Sequence, residues 1–123
     1  MSKFLNNLKS EQLGKWNHRL LAQLDLQDDI HGVISAPVDF ETDFASINSM
    51  HNIILFPIWA LVAGYGNPSA ALHDHLYTTG ELSRKECDGV LYRALRAEGV
   101  AKWRAWMFWA GVRIGGRNHY MTA

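Results

Sequence analysis

With 123 residues, 48% of them hydrophobic and 20% charged, the chain has the size and balance of one globular domain, residues 1–123, and not of a disordered segment. Twelve basic and twelve acidic side chains cancel to a formal net charge of zero, which argues against a nucleic-acid partner. One cysteine, Cys87, excludes an internal disulfide framework and a cysteine-rich zinc knuckle. It sits among apolar residues and reads as a small buried thiol. The charge is unevenly spread, because residues 1–83 hold 4 basic and 9 acidic side chains and residues 84–123 hold 8 and 3. Halves of −5 and +5 suggest intramolecular complementarity. No signal peptide is expected, since Lys3 and Phe4 lead into a polar stretch.

In chain order, the first half reads as extended. Leu5 to Lys9 is a candidate strand. In HRLLAQLDLQ, Leu20, Ala22, Leu24 and Leu26 alternate with polar residues, the period of a half-buried strand, with Leu21 the exception. A helix over residues 11–24 competes, because Leu13, Trp16, Leu20 and Leu24 also fit a helical face. QDDIHG is turn-like and GVISAPV returns, which predicts a hairpin. In PVDFETDFAS, an extended course points Val38, Phe40 and Phe44 one way and Asp39, Glu41 and Asp43 the other.

The second half reads as helical. IILFPIWALVAG, residues 53–64, is too short and too interrupted by Pro57 to cross a bilayer, so it is expected to be core. Asn67-Pro68 is a start signal and Gly80 a stop; Ser83…Glu86 is a capping box and Gly99 its far end. Val100 to Ile114 forms a last helix before Gly115-Gly116. The expectation is an α+β fold. A small N-terminal antiparallel sheet or hairpin, about residues 4–44, packs on a C-terminal bundle of three to four helices, about residues 50–115.

Chemistry concentrates in AALHDHLY, residues 70–77. His73 and Asp88 lie equally far from the loop between two antiparallel helices and should meet at one height. Asp88 also heads the apolar row Asp88, Leu91, Tyr92, Leu95, where a buried carboxylate needs a partner. Asp74 and Tyr77 stand within a turn of His73. His75 is offset around the helix and should be exposed or packed on Leu72 and Thr79. His73, Asp88 and Tyr77 are therefore the catalytic candidates. Asp43, His73, Asp74 and Asp88 are the candidate ligands of a divalent metal such as zinc, manganese or calcium.

TDFAS followed by AALHDHLY and the Asp88 helix resembles domain-of-unknown-function family 1353, small proteins encoded in phages and prophages, from about Trp16 to Arg117. The resemblance places Thr42, Asp43, Ser46, His73, Asp74, Tyr77 and Asp88 on the family pattern. Asp39 replaces that pattern's usual glycine, and Asn48-Ser49 its usual Pro-Arg. A looser similarity links His73-Asp74-x-x-Tyr77 to the catalytic helix of phospholipases A2. There the His activates water, the Asp binds calcium, and an Asp on a neighbouring helix orients the His. The glycine-rich calcium loop of those enzymes has no counterpart here.

These readings predict a virion or tail-associated structural or assembly protein, with a metal-dependent hydrolase of cell-wall or lipid substrates as the alternative. The expected location is a phage virion or the host cytoplasm during assembly. The Val100–Gly116 helix is apolar almost all round, with Trp103, Met107, Ala110 and Ile114 on one face. It is the expected contact with a second copy or another virion protein, and a membrane surface is the second choice.

Overall fold

The computed structural model describes residues 1–14, 17–42 and 67–115. The predicted core run at residues 53–64, with any fourth helix there, and Asp43 and Ser46 lie outside the described residues. Among the described residues, six strands precede three helices, and all strand pairs are antiparallel. The strands are β1 (Lys3–Phe4), β2 (Ser10–Gln12), β3 (His18–Leu20), β4 (Leu24–Asp28), β5 (Gly32–Ala36) and β6 (Glu41–Thr42). They form two small sheets, ordered β1-β4-β5 and β2-β3-β6. The fold is α+β as the sequence predicts, with two sheets in place of one.

The alternation that predicts a single strand over residues 18–27 breaks at Leu21–Gln23. Leu20 and Leu24 stay buried while Leu21 turns outward, so β3 and β4 join different sheets. Leu5–Lys9 is the link between β1 and β2, not a strand, and no helix forms over the described part of 11–24. The predicted hairpin is β4–β5. Leu24 pairs with Ala36 and Leu26 with Ile34, all facing the core. The same period of two carries Asp28 inward. Its carboxylate closes the turn by accepting the His31 N–H at 3.0 Å and the Ile30 N–H at 3.2 Å. Gly32, with φ 76°, ends it in the left-handed region that glycine adopts without strain.

The helices α1 (Asn67–Thr79), α2 (Arg84–Ala97) and α3 (Lys102–Gly115) carry most of the predicted punctuation. Ser83 and Glu86 form both bonds of the capping box. Gly99, with φ 90°, closes α2: the Gly99 N–H reaches Arg96 O at 3.0 Å and the Val100 N–H reaches Leu95 O at 3.0 Å. This is the paired-bond glycine stop. Asn67 is the first helical residue, one step later than a cap. An α1 first-turn N–H, that of Ser69, donates instead to Glu98 at the end of α2, as does the Ser69 hydroxyl. Burial holds the Glu98 carboxyl above its usual range despite these bonds.

One cluster of buried side chains joins both sheets to all three helices. Leu20, Leu24, Leu26 and Ile34 meet Ala70, Leu72 and Leu76 of α1, Val90, Leu91 and Leu95 of α2, and Phe108 and Val112 of α3. α2 packs against both other helices and against β1 and β4. Arg93 of α2 reaches the buried Asp28 through Nε at 2.7 Å and Nη2 at 3.2 Å, and the Ser2 hydroxyl donates to the same carboxylate. This bidentate pair realises the charge complementarity between the halves.

PVDFETDFAS is not extended throughout, because Phe40 N–H bonds back to Pro37 O at 3.2 Å and Asp39 has φ 70°. Asp39 thus occupies a left-handed position that suits glycine, with Asp among the few side chains that tolerate it. Asp39→Gly is expected to leave stability unchanged or raise it by up to ~1 kcal/mol, whereas Asp39→Val should cost about 1–2 kcal/mol. Urea unfolding of the two variants checks the ordering.

Candidate functional site

Sequence spacing brings His73 and Asp88 to one height across the α1–α2 loop, and the side chains meet there. His73 Nε2 lies 2.7 Å from Asp88 Oδ1, and Tyr77 Oη donates to the same oxygen at 2.5 Å. The third partner comes from α3, where Arg113 Nη1 donates to Asp88 Oδ2 at 2.9 Å. One carboxylate on the central helix therefore binds a side chain from each neighbour. His73 and Tyr77 are 2% exposed and Asp88 0%.

Burial alone would raise the Asp88 carboxyl, but the donors from His73, Tyr77 and Arg113 outweigh it and hold the group below the usual carboxylate range. An ionised carboxylate only accepts, so the His73 Nε2 N–H donates to it. Burial and the Asp88 charge push the Tyr77 phenol far up, so its hydroxyl remains a donor. Cys87, next in the chain, has its thiol pushed up to about 12, chiefly by burial. It is the inert thiol expected, not a nucleophile.

Asp74 points to a different element. Thr42 Oγ1 of β6 donates to Asp74 Oδ2 at 2.7 Å, tying the sheet to α1. His75 packs edge-on against Phe40, ring centroids 4.9 Å apart. Its Nδ1 is buried with no hydrogen-bond partner.

The divalent-metal set of Asp43, His73, Asp74 and Asp88 is not assembled from its described members. Among the described residues no group of three or more His, Cys, Asp or Glu side chains is placed to hold a metal ion. Asp43 is outside them. The Arg113 guanidinium stands on Asp88 Oδ2, so the carboxylate already faces a cation of the protein's own.

Arg113 and Arg84 are the residues that sequence reasoning missed. Arg84, in the first turn of α2, donates through Nη2 to Arg113 O at 2.5 Å and Val112 O at 3.3 Å, and so caps the last turn of α3. The usable signal was chemical: a buried carboxylate calls for a cation, and the third helix supplies one in Arg113.

A family profile described as "Protein of unknown function (DUF1353)" matches residues 18–112, more than half of the chain. The chain belongs to that family. No curated protein and no solved structure matches it. Of the positions that resemblance quoted, the described ones fall into two contacts around α1, Thr42 with Asp74 and His73 with Tyr77 and Asp88. Among the described residues, no helix is long and apolar enough to cross a membrane.

Asp88→Ala should cost about 3–5 kcal/mol, because it takes the shared acceptor from the buried His73 and Tyr77 and the counterion from the half-buried Arg113. Tyr77→Phe should cost ~1 kcal/mol, since the shared oxygen keeps its imidazole donor. Chemical denaturation of both variants tests that ratio.

The pH dependence has a definite sign for each group. The lowered Asp88 carboxyl contributes stability that is full above its unfolded value, about 4, and is lost as pH falls through the folded one. Burial lowers His75, the larger effect, against the nearby Glu81 charge, which raises it. The unfolded chain therefore binds the His75 proton first, and stability falls as pH drops below about 6.5. His75→Leu should flatten the thermal-stability profile between about pH 6.5 and 5 while the Asp88-dependent loss below about 4 persists.

Proposed function

We propose that this protein is a phage-encoded structural or assembly component of a particle, and that the Asp88 cluster is a latch fixing its helices. The observation that carries this reading is the closure of the cluster. Asp88 engages three donors on its two oxygens, and Asp88, His73 and Tyr77 are all buried. A satisfied buried network of this kind fixes one arrangement of a core. The outward aromatic face of α3 then serves as the contact surface.

A second reading, a hydrolase, is favoured by one specific feature. Asp88 holds His73 by Nε2, and a carboxylate that orients an imidazole in this way supports acid–base catalysis. In that case His73 would take a proton from water or substrate, Asp88 would stabilise the imidazolium, and Tyr77 with Arg113 would keep Asp88 ionised and in place. The substrate would be a cell-wall or lipid ester or amide.

Mass spectrometry of purified particles, together with a His73→Gln variant, separates the two. The particle reading expects the chain in particles at a fixed copy number, with particle yield and infectivity unchanged by His73→Gln, which keeps an N–H donor but no base. A chain absent from particles, whose deletion leaves their yield unchanged, overturns that reading. Loss of infectivity with His73→Gln at unchanged stability would favour the hydrolase.

A further inference from the structure

Four strands lie at sheet edges, β1 and β5 in one sheet and β2 and β6 in the other. An open edge is a template for pairing with another chain, and proteins blunt it with shortness or charge. β1 and β6 are two residues each and carry the exposed Lys3 and Glu41, and the three-residue β2 carries the exposed Glu11. β5 is different. It is five residues long, Gly-Val-Ile-Ser-Ala, with no charged side chain. Among the described residues, no strand pairs with its far side.

The neighbouring strand shows which backbone groups of β5 face that side. Asp25 of β4 accepts the Leu5 N–H on its carbonyl at 2.9 Å and donates its own N–H to Asn6 Oδ1 at 2.9 Å, both away from β5. Bonding direction alternates along an antiparallel strand, so Leu24, Leu26 and Asp28 bond toward β5, and their partners Ala36, Ile34 and Gly32 face β4. Val33 and Ser35 therefore direct N–H and C=O to the open side. The Val33 side chain is 57% exposed on the outer face of the sheet, while Ile34 is buried on the inner one.

The same alternation makes the edge complementary to itself. A two-fold axis that sets Ile34 against Ile34 of a second copy pairs Val33 with Ser35 in both directions and uses every outward group of the two strands. Shifting the register by two residues one way puts Val33 opposite Pro37, which has no N–H; shifting it the other way puts Ser35 opposite His31 in the turn. In the Ile34-centred register, the exposed Ile30 and Val38 fall at the same level at each end of the pair. We propose that two copies of this chain pair antiparallel through β5 and join their three-stranded β1-β4-β5 sheets into one continuous sheet. This association goes beyond the particle reading and does not depend on it.

Light scattering after size exclusion, with amide hydrogen exchange on the same samples, tests the proposal. The wild-type mass should rise from one chain to two with concentration and stop there, because each copy has one such edge. The Val33 and Ser35 amides should exchange about tenfold or more slowly in the concentrated sample than in the dilute one. Val33→Lys sets a charge at a side chain that is already exposed, and should be monomeric with an unchanged circular dichroism spectrum. Val33→Thr, β-branched and uncharged, should dimerise as the wild type does. A wild-type chain that stays monomeric at millimolar concentration overturns the proposal. So does a dimer that survives Val33→Lys, or one lost with Trp106→Glu, which would place the contact on α3. Val33 and Ser35 amides protected equally at both concentrations would mean that the edge is covered within one copy, and would also overturn it.

Discussion

The packing of the three helices depends on one carboxylate. Asp88 lies on α2, and its partners His73, Tyr77 and Arg113 lie on the two helices that flank it. Removing such a group from water costs several kcal/mol, and only well-placed donors on both oxygens offset that. The offset exists only when α1 and α3 are docked together. The penalty therefore selects one arrangement of the bundle, whereas an all-apolar seam would tolerate several. Arg93 applies the same constraint five residues further along α2, on another face, where it meets Asp28 at the hairpin turn. α2 thus contributes one side of two ion pairs whose carboxylates are buried, and sets both the bundle and its attachment to the sheet.

What was legible in the sequence follows the range of the interactions involved. The capping box at Ser83–Glu86 and the glycine stops at Gly80 and Gly99 depend on a few adjacent residues, and all are in place. The His73–Asp88 contact depends only on helix rise and a short loop, so it too could be read. Arg113 could not, because its approach to Asp88 is set by how α3 crosses α2, 25 residues away in sequence. Arg93 and Asp28, 65 residues apart, are the same case. The division into two sheets was hidden for a different reason. Leu20, Leu24 and Leu26 keep one parity through the bend at Leu21–Gln23, so periodicity alone reads as a single strand.

α3 was the hardest element to orient, and its composition says why. Trp103, Met107, Ala110 and Ile114 form a convincing apolar face, yet Trp103 and Ile114 of that row are exposed. The buried row is the less conspicuous Ala105, Phe108 and Val112, with Gly111 beside it. That row fills the core through one large side chain, Phe108, and Arg113, next to Val112, reaches Asp88 from the same stretch. Trp103 and Trp106 lie off the row and stay exposed.

The two ends of α3 are consequently under different constraints. Near its C-terminal end, Arg113 is fixed on Asp88 and Arg84 caps the last carbonyls, so the guanidinium charges are spent inside the fold. Near its N-terminal end, Lys102 and Arg104 face the helix dipole with no carboxylate in the first turn. The two ends are about 16 Å apart along the helix, beyond a Debye length at physiological salt, so stabilising one does little for the charge at the other. A helix anchored so firmly at one end can expose two tryptophans at the other without melting. That division of labour puts the rigid latch at one end of a single helix and an exposed aromatic face at the other.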